Sequence, residues 1–294
     1  MKRTSLYLLI ILILSLLSGC AQTQQPAQIA ATTLPVYEFT SRLCEGTGIT
    51  VTRVISDSIS CLHDYSLSVQ QVRAVKAAEL IVVNGAGLED FMADTLSGKN
   101  VITTAEGIPL LECADIHERD EASHDDHHHE VDSHIWLSPE NAMQMAQTIC
   151  DGLIAQYPKH TDTFRRNLTG LIADLEVLEA YGEEQLRGLS CRELVTFHDG
   201  FSYLAQAFDL TILEAVEEES GAEASAAELK HLISLVRSHD LSAIFTETNG
   251  SNSAASVIAR ETGAQTFPLD MVISGDSYFE AMYQNINTLK EALE

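Results

Sequence analysis

The chain has 294 residues, 45% of them hydrophobic, so it can bury a sizeable core in one large domain or two modest ones. Its 17 Lys and Arg stand against 43 Asp and Glu, which leaves little to neutralise a run of phosphates and argues against a nucleic-acid partner. The same excess suits a protein that concentrates cations in its field, or one that is simply well solvated.

At the N-terminus Lys2 and Arg3 precede Leu8 to Leu17, a run that is apolar except for Ser15 and too short to span a bilayer. It leads into Leu17-Ser18-Gly19-Cys20, which resembles a bacterial lipobox. That implies a signal peptide over 1–19, cleaved before Cys20, with the Cys20 thiol acylated. Residues 20–28, rich in Gln, Thr and Ala, read as a flexible tether. Five cysteines remain: Cys44, Cys61, Cys113, Cys150 and Cys191. The number is odd and no Cys-x-x-Cys is present, so free buried thiols are expected rather than a thiolate metal cluster.

Over 29–157 apolar, β-rich runs alternate with helical patterns. Gln28–Thr33, Ile49–Ile55, Glu79–Asn84 and Asn100–Thr103 read as strands, with helices at Pro35–Cys44 and Ser68–Ala77 and Ser68 as the N-cap of the latter. Asn84-Gly85-Ala86-Gly87 is a turn. Residues 115–130 form a loop rich in His, Asp and Glu, and Pro139–Tyr157 an amphipathic helix. From Lys159 to Leu189 there is no proline, and Phe164, Leu168, Leu171, Leu175 and Leu178 recur at three and four. A helix of about 25–30 residues there would run roughly 40 Å, enough to back both halves; it is assigned to 158–189. Residues 190–294 repeat the first style. Strands are expected at Glu193–Phe197, Thr211–Ala215, Ala243–Thr246 and Gln265–Leu269, and helices at Phe201–Phe208, Ser225–Ser238, Asn252–Thr262 and Ser277–Leu293. The expected fold is α/β: two lobes with mainly parallel sheets, linked by one long helix.

Four residues stand out as chemistry-bearing: His63, His134, His198 and Asp270. His198 and Asp270 directly follow predicted strands, and ligands of open α/β sheets bind beyond the carboxyl ends of strands. Two donors from each lobe would put a metal in the cleft between them. Taken singly, each is more often a hydrogen-bonded His or a capping Asp.

The surrounding segments form a pattern. His63-Asp64-Tyr65-Ser66, Asn84-Gly85-Ala86-Gly87-Leu88-Glu89, Asp132-Ser133-His134-Ile135-Trp136-Leu137 and Phe197-His198-Asp199-Gly200-Phe201-Ser202-Tyr203-Leu204 follow one another in order. Ile244-Phe245-Thr246-Glu247 and Leu269-Asp270 complete them. From Thr32 to the C-terminus this order resembles the cluster A-I zinc/manganese solute-binding proteins of ABC transporters. Two departures are Ser133, where the family pattern has Pro, and Gly200, where it has Ala. Both flank the candidate donors.

The resemblance implies that His63, His134, His198 and Asp270 bind the metal in an interlobe cleft, and that the chain is a binding protein, not an enzyme. Three imidazoles and one carboxylate suit Zn2+ over Mn2+ and reserve no position for a catalytic water. Asp64, Asp199 and Glu247 are expected to orient imidazoles or balance charge. His117, His124, His127, His128 and His129 of the acidic loop would be an auxiliary, exchangeable metal trap. The implied partners are an ABC permease, the zinc ion and, through Cys20, the extracytoplasmic face of a bacterial membrane. The competing readings are a manganese-delivering member of the same family, a zinc hydrolase and a metal-sequestering surface adhesin.

Overall fold

A computed structural model describes residues 28–56, 62, 65–112, 131–216, 224–248, 250 and 252–294. The leader, Cys20, Cys61, His63, Asp64, Cys113 and the histidines of the acidic loop lie outside the described residues.

In the first half, β1 (Ile29–Ala31), α1 (Leu34–Cys44), β2 (Val51–Arg53), α2 (Val69–Ala77), β3 (Leu80–Val83), α3 (Ala93–Leu96) and β4 (Val101–Thr103) build a sheet of order β2-β1-β3-β4. All its pairings are parallel. β1 and β3 are buried throughout, as central strands covered on both faces must be. α2 starts where expected: Ser68 and Gln71 each bond the other's backbone N–H, at 3.3 and 2.8 Å. The short α3, and the 3-10 turn Asp90–Met92 before it, have no counterpart in the sequence reading.

α4 (Pro139–Gln156) and α5 (Thr161–Leu186) follow, with a 3-10 turn at Pro158–His160 between them. α5 has 26 residues and ends at Leu186, three residues before the expected Leu189. Its predicted stripe is the buried face: Phe164, Leu171, Leu175 and Leu178 are fully buried, and Leu168 partly so. That stripe packs on α1 and α4 of the first lobe and on the C-terminal helix of the second.

The second lobe repeats the scheme with β5 (Glu193–Thr196), α6 (Ser202–Ala207), β6 (Thr211–Ala215), α7 (Ala226–Ser238), β7 (Ala243–Glu247), α8 (Ser253–Thr262), β8 (Gln265–Leu269) and α9 (Tyr278–Leu293). Its sheet is also parallel, in the order β6-β5-β7-β8. In both sheets the two central strands send the chain toward opposite edges, β1 to β2 and β3 to β4, β5 to β6 and β7 to β8, so a crevice opens at the carboxyl ends of β1/β3 and of β5/β7. The larger apolar core draws residues from both lobes, and a smaller one fills the second lobe between β7, α7 and α8. Among the described residues no helix is long and apolar enough to cross a membrane. Cys44, Cys150 and Cys191 are free thiols; burial pushes Cys44 up to about 12 and Cys150 to about 11, which makes them inert.

Candidate metal centre

His198 emerges from the end of β5 and Glu247 closes β7, so both lie at the crevice of the second sheet. Their side chains meet there: His198 Nδ1 is 3.0 Å from Glu247 Oε1, and both residues are buried. His134 comes from the first lobe, just before a 3-10 turn over Ile135–Leu137. Its Nδ1 is 2.8 Å from Asp132 Oδ1, and its backbone N–H donates to the same oxygen at 2.9 Å. A ring whose Nδ1 faces a carboxylate carries its proton there and presents Nε2 as the free donor, the arrangement in which histidine ligates metals.

The two imidazoles meet edge to face with their centroids 5.3 Å apart, one from each lobe. Two imidazoles sharing one tetrahedral zinc, with Zn–N near 2.0–2.1 Å, have centroids about 5 Å apart. The donor chemistry and the spacing of this pair therefore fit that ion.

Asp270 follows β8, and its backbone is gripped from both sides by Asn285, whose Oδ1 accepts Asp270 N–H at 2.8 Å and whose Nδ2 donates to Asp270 O at 2.7 Å. Its Oδ1 accepts the Val272 N–H at 2.6 Å. The next residue, Met271, reaches the histidine pair: a Cβ placed on Gly200 would fall 2.5 Å from Met271 Cε, 2.7 Å from His198 Cδ2 and 2.9 Å from His134 Cε1. Even so, among the described residues no three His, Cys, Asp or Glu side chains converge tightly enough to enclose an ion. The structure brings His134 and His198 together, with Asp270 one residue from their neighbour Met271. Asp199 is half-buried beside His198.

The segment carrying His134 is fastened on both sides. Asn84 Nδ2 donates to Ser133 O at 2.9 Å. Asn84 is held in turn by Glu89, which accepts the N–H groups of Asn84 and Gly85 and the Thr32 hydroxyl at 2.6 to 2.9 Å. Burial raises the Glu89 carboxyl above the ordinary range, against the pull of these hydrogen bonds. From the other lobe, Tyr203 OH donates to Asp132 O at 3.2 Å. The roles of Asp132 and Tyr203 went unassigned in the sequence, although a carboxylate two residues before a candidate His was a usable signal.

The family described as zinc-uptake complex component A, periplasmic (ZnuA), matches residues 29–292. The chain belongs to the ZnuA family. It is 31% identical, over its whole length, to the zinc-binding lipoprotein AdcA of Streptococcus pneumoniae serotype 4, of which it spans 62%. It is 27% identical to the high-affinity zinc uptake system protein ZnuA of Bacillus subtilis, over 90% of this chain and 87% of that one. Among solved structures, the Zn(II)-bound ZnuA-like domain of Streptococcus pneumoniae AdcA superposes with a TM-score of 0.74 at 28% identity, covering 90% of this chain and 98% of that one. The ZnuA family match begins at β1 and runs almost to the end of α9, so it takes in both sheets and the helix between them.

Proposed function

We propose that this chain captures zinc outside the cytoplasmic membrane and hands it to an ABC-type permease. Zinc is the cargo. His134 and His198 are two of its donors, and His63 and Asp270 complete a four-ligand N/O site, with Asp132 and Glu247 holding the two imidazoles. The observation that carries this reading is the buried pair of imidazoles, one from each lobe, each backed by a carboxylate at 2.8 to 3.0 Å. The names of the relatives, zinc-binding and zinc-uptake proteins, support the same cargo. A four-ligand protein site reserves no coordination position for a substrate water, so the chain acts as a binding protein. The His-rich loop serves as an auxiliary trap.

The competing cargo is manganese, which prefers oxygen donors and more ligands, whereas imidazole sites follow the divalent order that puts zinc far above manganese. Equilibrium competition on the purified chain decides between them. One tight zinc equivalent that displaces manganese is expected, and His134→Ala or His198→Ala should abolish it. Retention of manganese against equimolar zinc would replace the zinc reading with the manganese one.

The anchor is proposed to be lipid on Cys20, as the lipobox-like segment and the lipoprotein name of the pneumococcal relative suggest. Metabolic labelling with a fatty acid should tag the protein and fail with Cys20→Ala; labelling that survives the substitution sinks the anchor.

A further inference from the structure

The residues that flank the acidic loop in sequence, Leu111–Glu112 and Val131–Asp132, form a neck. Glu112 and Val131 make an antiparallel bridge, and beside it Asp132 N–H donates to Leu111 O at 2.8 Å. In a regular antiparallel ladder Leu111 and Asp132 would exchange a second bond, from Leu111 N–H to Asp132 O. That link runs instead through the Tyr203 hydroxyl, which accepts Leu111 N–H at 2.9 Å and donates to Asp132 O at 3.2 Å. A side chain of the second lobe thus completes a backbone pairing of the first.

Three further observations tie this hydroxyl to the metal centre. Tyr203 is buried, and its helix α6 starts four residues after His198. α6 also packs on the 3-10 turn Ile135–Leu137, directly after His134. Finally, Asp132, whose carbonyl the hydroxyl holds, is the residue whose Oδ1 takes both the backbone N–H and the Nδ1 of His134. One short path therefore joins the two imidazoles. It runs from His198 along the chain to Tyr203, across the hydroxyl to Asp132, and from there to the His134 ring. Deleting the hydroxyl leaves Leu111 N–H and Asp132 O facing a gap too small for a water beside the ring. The neck must then pinch or spread, and either movement carries Asp132 with it.

We infer that Tyr203 is a positioning residue of the metal centre: its hydroxyl closes the neck of the acidic loop and so holds Asp132, and through it the His134 ring, in register with His198. The inference rests on the zinc-capture reading above.

The test compares the mature chain with Tyr203→Phe, and each with a counterpart in which residues 114–129 are replaced by Asn-Gly, a two-residue hairpin turn that closes the neck covalently. Affinity is read by chelator competition, and zinc release by stopped flow into excess chelator, at a temperature where circular dichroism shows all four chains folded. Tyr203→Phe should weaken zinc about tenfold, the scale on which groups behind a ligand act, and speed its release by a similar factor. With the short turn in place most of that loss should vanish, because the turn holds Leu111 against Asp132 without the hydroxyl. A Tyr203→Phe chain that melts earlier but keeps its zinc affinity and release rate would mark a purely structural tyrosine and overturn the inference. A loss of equal size with and without the short turn would overturn it too, since neck closure would then not be the route. An unmutated chain that binds no zinc would instead overturn the capture reading, and this inference with it; a zinc-binding chain indifferent to Tyr203→Phe removes the inference alone.

Discussion

Asp132 Oδ1 takes both the backbone N–H and the Nδ1 of His134, in a place that is 2% exposed. A single oxygen thus fixes the backbone and the ring of the same residue, and so settles which nitrogen faces the site. His134, His198 and Glu247 were singled out through the segments whose order resembles the family, and the structure brings the three side chains to one place. Asp132 was equally visible as a letter, but its role depends on a local turn that puts residue i−2 under the ring, which no periodicity reveals. Asp132→Asn keeps the shape and removes the carboxylate charge that backs the imidazole. Zinc affinity should fall about 10- to 100-fold, measured by chelator competition, while the thermal unfolding of the metal-free chain changes little. An affinity unchanged within twofold would mean that the ring is oriented by something else.

At the scale of elements, all eight expected strands form, because each is a short apolar or β-branched run bounded by turn residues. Helix starts were sharp where a Ser precedes the helix with Gln or Glu at N3, as at Ser68 and Ser225. Strand lengths were less legible: β1 keeps three residues of the six expected, since ladder pairing ends where the partner strand ends. The path of the chain between Asp270 and Ser277 was not legible. Val272 there has φ +58, a left-handed conformation that a β-branched residue enters only under constraint. Such strain costs roughly 1–3 kcal/mol and persists where the surroundings over-determine it. Here they do: the Val272 N–H goes to Asp270 Oδ1, and its neighbours' carbonyls accept Trp136 Nε1–H at 2.8 Å and the Leu34 N–H at 3.1 Å. All three constraints are tertiary or lie outside any helix or strand period, so local patterning carries no trace of them.

On the scale of the molecule, strands alternating with helices around one long apolar stripe were enough to indicate two parallel sheets on a shared helix. The bonds that hold the lobes against each other were not, because they join residues far apart in sequence. Trp136 is the central one. Its Nε1–H donates to Met271 O at 2.8 Å, its own carbonyl accepts Tyr278 OH at 2.8 Å, and its ring lies 5.3 Å from the His134 ring. Arg53 adds a bond to Gly275 O at 2.6 Å. The segment that carries Asp270 therefore follows the second sheet in sequence but is bonded to the first lobe. Trp136→Phe keeps most of the apolar bulk and deletes the N–H, leaving the buried Met271 carbonyl without that donor. Removing one partner of a buried hydrogen bond costs roughly 1–3 kcal/mol, so the urea midpoint of the metal-free chain should fall accordingly. Because this is the only tryptophan, the unfolding must be followed by far-ultraviolet circular dichroism. Asp270, one residue from the orphaned carbonyl, should also hold its place less well, and zinc should leave faster. Coincident unfolding curves for the two chains would show that the Trp136 bond does not hold the lobes together.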